Sequence, residues 1–287
     1  MLRKEQALRL PKAVLTAFLL LASPSLGRAA ETTAVTIDSA ANLGSAERLA
    51  LAGILSTPDG PGPFPAVVLL HGCGGLRPNT ALWQRFFTER GFVTLAVDSF
   101  GSRHVKEICN TSGLVTWKMR AADAFGALEH LARQPTIRRD SILVMGFSHG
   151  GGIALDVTSS FRLDKRAAQA PRFQAALALY PPCGARERRD SARSVPTFIA
   201  VGADDDWTPT DDCRALAANR RATPPVDLHV YPDTAHSFDN LDRPLTYLPR
   251  ALNRHSATGF GATVGGNPDA ARAVQADLDR FLSERLR

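Results

Sequence analysis

Ile142-Leu-Val-Met-Gly146-Phe-Ser148-His-Gly150-Gly-Gly-Ile-Ala154 is the stretch that decides how this chain folds. Residues 142–147 form a short apolar run, the pattern of a strand buried on both faces. A helix is expected from His149, so Ser148 stands at a strand–turn–helix junction. The flanking glycines allow the backbone to crowd into a sharp turn and leave the serine hydroxyl exposed. The helix N-terminus behind it favours developing negative charge. Gly-x-Ser-x-Gly alone is unspecific, and a glycine-rich turn with a capping serine is the bland alternative. Its setting between strand and helix is what a nucleophile elbow requires.

Working outward, strands and helices alternate on both sides of this junction. Upstream, strands are expected at 34–38, 49–56, 66–70 and 92–97. Asn79 is placed as the cap of one helix and Thr116 as the cap of another. Downstream, strands are expected at 175–180, 197–201 and 226–231. Thr208-Pro209 opens one more helix and Asn267-Pro268-Asp269 a last one. This rhythm predicts an α/β chain with a doubly wound, mostly parallel sheet, helices on both faces and a single domain. Residues 239–266 have no clear period and contain Pro244 and Pro249. A structureless stretch that long is uncommon in a compact domain, so it is expected to be a cover over the site, with Tyr247, Leu248 and Phe260 lining an apolar pocket.

A serine hydroxyl is a poor nucleophile without a base. In a chain of this kind the acid follows the serine and the histidine follows the acid. His71, His104, His130 and His149 come too early, and His229 falls inside a strand. His236, just past residues 226–231, is preferred over His255. The acid is expected after the strand at 197–201, where Asp204, Asp205 and Asp206 are equal by position. The backbone N–H of His149 and that of Cys73, in His71-Gly-Cys-Gly-Gly75, are the candidate oxyanion donors.

At this point the chain resembles the dienelactone hydrolase family of α/β-hydrolases, from about Leu51 to its C-terminus. The resemblance rests on His71-Gly-Cys-Gly-Gly75, Gly146-Phe-Ser-His-Gly-Gly151, Gly202-x-x-Asp205-x-x-x-Pro209 and Ala235-His-Ser-Phe238. It selects Asp205 among the three aspartates and His236 among the histidines. Two positions depart from the family's namesake enzymes. Ser148 stands where they use cysteine, and Asn240 stands where they hold a substrate carboxylate with arginine. The resemblance implies an α/β-hydrolase fold and a serine hydrolase for a small ester or lactone, working through an acyl-enzyme without cofactor or metal. A peptidase or acyltransferase with the same triad, or a non-catalytic binding protein on this scaffold, are the alternatives.

Residues 1–29 read as a signal peptide. Arg3, Lys4, Arg9 and Lys12 precede the apolar stretch from Ala13 to Ala22, and small residues offer cleavage after Gly27 or Ala29. That stretch is about half the roughly 20 residues a membrane span needs. The expectation is a periplasmic or secreted protein without stable membrane insertion. The formal charge is +6, but removing this leader takes five basic residues and one acid, leaving +2. The basic balance therefore belongs partly to the leader and does not call for a nucleic-acid partner. The four cysteines lie beyond it, show no metal-ligand spacing, and in an oxidising compartment would form two disulfides. Because all four fall in connections at the C-terminal edge of the sheet, Cys73 is paired with Cys109 and Cys183 with Cys213.

Overall fold

The computed structural model describes residues 30–111, 113–184, 192–218 and 224–285. The expected signal peptide, residues 1–29, lies outside the described residues. The strands are β1 (Glu31–Ala40), β2 (Arg48–Thr57), β3 (Phe64–Leu70), β4 (Val93–Asp98), β5 (Ile137–Phe147), β6 (Ala176–Leu179), β7 (Thr197–Gly202), β8 (Val226–Tyr231), β9 (Thr246–Leu252) and β10 (Phe260–Val264). The helices are α1 (Pro78–Thr88), α2 (Trp117–Ala132), α3 (His149–Val157), α4 (Ser160–Leu163), α5 (Thr210–Ala217) and α6 (Pro268–Arg285).

Eight strands form one sheet in the order β1-β2-β4-β3-β5-β6-β7-β8. From β4 to β8 every pair is parallel, while β1 and β2 run antiparallel at one edge. The central strands are apolar throughout because both faces are covered. Val68, Leu70 and Val144 pack under α2 and α3 with Ala124, Leu128 and Ile153. Val67, Leu69, Leu143 and Met145 face the other way and pack with Trp83 and Phe87 of α1 and Val274 and Leu278 of α6. Alternate residues of one strand thus feed two cores, as the two-residue strand period dictates. Each fully buried Val or Leu contributes about 1.5–3 kcal/mol of transfer free energy.

One expectation about caps needs correction. Thr116 caps α2 as expected, its hydroxyl accepting from Met119 N. Asn79 does not cap α1. The helix starts one residue earlier at Pro78, whose fixed φ suits the first turn, and the Asn79 amide is buried, donating to Asp239 and Tyr180. Thr208-Pro209 opens α5 as expected, and the Thr208 hydroxyl donates to Asp205 and the Tyr180 carbonyl.

Residues 239–266 are not structureless. β9 and β10 form a two-stranded antiparallel sheet of their own. Pro249 obscures it in the sequence, because proline cannot donate to a ladder. In the structure, Pro249 lies between Leu248 and Leu252, the positions flanking the irregular part of the pairing. The strand period also separates the residues expected to line the pocket. Leu248 does line it, whereas Tyr247 and Phe260 point outward, 61% and 46% exposed.

Candidate active site

The site assembles where β3, β5, β6, β7 and β8 end. Ser148 follows β5 directly and takes φ 50° and ψ −118°. That conformation costs a non-glycine residue about 1–3 kcal/mol and persists only when its surroundings impose it. Here they do. A Cβ on Gly150 would collide with the Leu70 carbonyl, and one on Gly146 with the backbone of Gly150. The two glycines let the first turn of α3 press against the ends of β3 and β5.

His236 lies in the loop after β8, close to the end of β7. Gly202 permits this approach, because a Cβ there would meet the Thr234 carbonyl. Asp204 N donates to the same carbonyl at 3.0 Å. His236 Nε2 is 2.9 Å from Ser148 Oγ, and its Nδ1 is 2.8 Å from Asp205 Oδ2. Asp205 can only accept as a carboxylate, so Nδ1 carries the hydrogen and Nε2 is left to accept from the serine. Both side chains are sealed from solvent, 1% and 0% exposed. Asp205 is held in turn by N–H groups of Trp207 and Thr208 on Oδ1 and the Thr208 hydroxyl on Oδ2.

Of the three aspartates after β7, only Asp205 meets the histidine. Asp204 is exposed, and Asp206 binds Thr263 N and Oγ1 of β10. His255 lies 3.8 Å from Asp212, away from Ser148's hydrogen bonds. Cys73 sits in the loop after β3, beside Ser148 in one pocket wall, and His149 is the first residue of α3. Disulfides join Cys73 to Cys109 and Cys183 to Cys213, closing separations of 36 and 30 residues. In the chain-entropy account, loops of this size are worth about 3–4 kcal/mol each.

Ser148 opens onto a pocket of about 350 Å³ walled by the Gly72–Gly75 loop, Tyr180, Trp207, His236 and the segment from Asn240 to Ala251. Arg77, Arg243 and Arg250 line it, Arg243 lying three residues beyond Asn240. The β9–β10 pair is tied to the histidine itself. Gly265 N donates to His236 O at 3.0 Å, and His236 bridges Val264.

Two buried polar groups around the triad escaped the sequence reading. Asp239 is 1% exposed and accepts from Tyr180 Oη at 2.6 Å, Trp83 Nε1 at 2.8 Å and Asn79 Nδ2 at 3.1 Å. Burial pushes its pKa up, against the pull of these donors. The Tyr180 ring stands edge-on to His236 at 4.7 Å. No local pattern marks this cluster, since Asp239 lies 59 to 160 residues from its partners. The other group is Arg120, 1% exposed, which donates to His71 O at 2.7 Å and contacts His149 Nδ1 at 3.0 Å. Burial lowers its pKa to about 10, so it stays charged at neutral pH. A signal existed here. Arg120 occupies the same helical face as Ala124, Leu128 and Leu131, and a cation on a buried stripe needs a partner.

His71 donates from Nδ1 to Gly72 O at 2.7 Å, and its Nε2 accepts from Ser99 N at 3.2 Å. Burial first, then the neighbouring Arg120 and His149, hold its pKa well below the ordinary 6.5. Below that value the unfolded chain takes up a proton that the native chain refuses. Stability therefore falls as pH drops below about 6.5, by up to about 1.4 kcal/mol per pH unit. Denaturant unfolding should show lower stability at pH 5 than at pH 7.5, and His71→Gln should remove the part of that difference that this group contributes. An equal loss in His71→Gln would assign the slope to other groups.

A mostly parallel eight-stranded sheet with a serine turn after β5, an aspartate after β7 and a histidine after β8 is an α/β-hydrolase. The dienelactone hydrolase family profile matches residues 51–260, and the chain belongs to that family. Among solved structures it is similar to a dienelactone hydrolase from Anabaena variabilis, 18% identical with a TM-score of 0.61, covering 91% of this chain and 100% of that one. It is also similar to esterase 2 of Thermogutta terrifontis with propionate bound, 20% identical with a TM-score of 0.59, covering 89% and 94%. The 2,6-dihydropseudooxynicotine hydrolase of Paenarthrobacter nicotinovorans is 30% identical over 120 residues, 42% of this chain. That match spans 29% of the relative's length.

Proposed function

We propose that this hydrolase is an exported serine esterase that cleaves a small carboxylic ester or lactone through an acyl-enzyme on Ser148. The observation that carries the reading is the continuous hydrogen-bond chain from Ser148 through His236 to Asp205 at the floor of a pocket. His236 takes the Ser148 proton as Oγ attacks the ester carbonyl, and the same proton goes to the departing alkoxide. Asp205 keeps the imidazole in the competent tautomer and stabilises its charged form. The N–H groups of Cys73 and His149 receive the oxyanion, and water, activated by His236, cleaves the acyl-enzyme.

The segment 239–266 is read as the cover of this site, its hairpin making one wall and tied to His236 through the Gly265 bond. Two disulfides suit an oxidising compartment, and among the described residues no helix is long and apolar enough to cross a membrane. The disulfides support a periplasmic or secreted protein, and the removal of residues 1–29 belongs to the same proposal.

Esterase 2 of Thermogutta terrifontis is described as phosphorylated by paraoxon, which suggests the test. A fluorophosphonate probe should label the wild-type protein at Ser148, located by peptide mass mapping. Ser148→Ala and His236→Ala should not be labelled. Label persisting in Ser148→Ala would remove Ser148 as the nucleophile.

A further inference from the structure

The pocket at His236 is not the whole space around Ser148. A second cleft of about 970 Å³ reaches Ser148 and His149 between the start of α2, α4 and the turn joining β9 to β10. Its apolar walls are Ile108, Trp117, Phe161, Pro182 and Leu252. Phe161 is 38% exposed there, a large ring left facing water. The charged walls are one-sided. Asp156 is the only carboxylate among the described lining residues, and Arg162 already binds both of its oxygens. Lys118, Lys165 and Arg254 are exposed, and among the described residues none of the three pairs with a carboxylate. Lys165 Nζ stands 3.8 Å from the centre of the Phe161 ring. An apolar cleft rimmed with unpaired cations fits an occupant with an apolar body and an anionic end, since cations in a half-enclosed cleft draw anions to it.

The cleft opens on the same serine as the smaller pocket, so one ester can reach into both. We propose that the cleft takes one half of the substrate, an aryl group bearing a carboxylate, while the other half fills the pocket beside His236. The proposal rests on Ser148 being the nucleophile. It makes Lys118, Lys165, Arg254 and Phe161 the residues that set specificity for that half.

The test compares two pairs of esters. In one, the phenol half carries a para-carboxylate or a para-methyl group. In the other, a phenylpropanoyl half carries the same two substituents. For the wild-type protein and a Lys118→Gln/Lys165→Gln/Arg254→Gln variant, kcat/KM is measured on all four. The ratio of anionic to neutral ester should fall about tenfold in the variant for one pair, the sum of several weak exposed charge contacts. Raising the ionic strength from 20 mM to 0.5 M should lower the same ratio in the wild-type protein. Phe161→Ala should lower kcat/KM for both members of that pair more than for either member of the other. Ratios that stay within twofold for both pairs would overturn the proposal. Failure of the underlying reading shows separately, as turnover of all four esters surviving Ser148→Ala.

Discussion

Asp205→Asn is expected to lower kcat by roughly 10³ to 10⁴, as loss of the carboxylate does in other triads. The geometry explains why a nearly isosteric amide should be so damaging. Trp207 N and Thr208 N both point at Oδ1 and require an acceptor there. The amide oxygen must take that place, which turns the NH₂ group toward His236 Nδ1. The imidazole then moves its hydrogen to Nε2 and can no longer accept from Ser148. Asp204→Asn should change little, because that side chain is exposed. Asp206→Asn should loosen the hold on Thr263 and act mildly, through the hairpin. Steady-state kinetics on one short-chain ester, with folding checked by circular dichroism, decides among the three. A crippled Asp204→Asn or Asp206→Asn beside an active Asp205→Asn would overturn the assignment.

Asp239→Ala should destabilise the fold by about 3–5 kcal/mol, because three buried neutral donors lose their acceptor at about 1–3 kcal/mol each. It would leave the Tyr180 hydroxyl, the Trp83 indole N–H and the Asn79 amide without their acceptor in a dry core. For a domain of this size the melting temperature should drop by roughly 10 °C. Asp239→Asn keeps one carbonyl acceptor and should lose less. Activity should suffer beyond unfolding, because Tyr180 packs against the His236 ring. A melting temperature for Asp239→Ala within about 3 °C of wild type, roughly 1 kcal/mol, would show that the cluster contributes little.

The strands that build the centre of the sheet were legible because burial on both faces leaves unbroken apolar runs, as at Val67–Leu70 and Leu143–Met145. Helix caps were legible only where the capping side chain had no distant partner. Thr116 caps α2, but Asn79 is drawn into a long-range hydrogen bond with Asp239 that no local rule anticipates. The β9–β10 pair was hidden by Pro249 and by the small, half-exposed surface it buries, which leaves no clean alternation to read.

By itself, the sequence determined the class of fold, the serine turn and the chain order of serine, acid and histidine. The strands and the serine turn are properties of local pattern, and the order is the rule for this kind of chain. Of the turn's glycines, Gly146 answers to its near neighbour Gly150, while Gly150 answers to the distant Leu70 carbonyl. Position after β7 left three aspartates equal, and a family spacing, not physics, favoured the second. Tertiary structure alone decided what Arg120 and Asp239 are for and that two cavities of different character meet at Ser148. Those outcomes depend on side chains brought together from elements as much as 160 residues apart. A buried charge or a shared cavity is created only when those elements pack, and the strand and helix periods carry no trace of it.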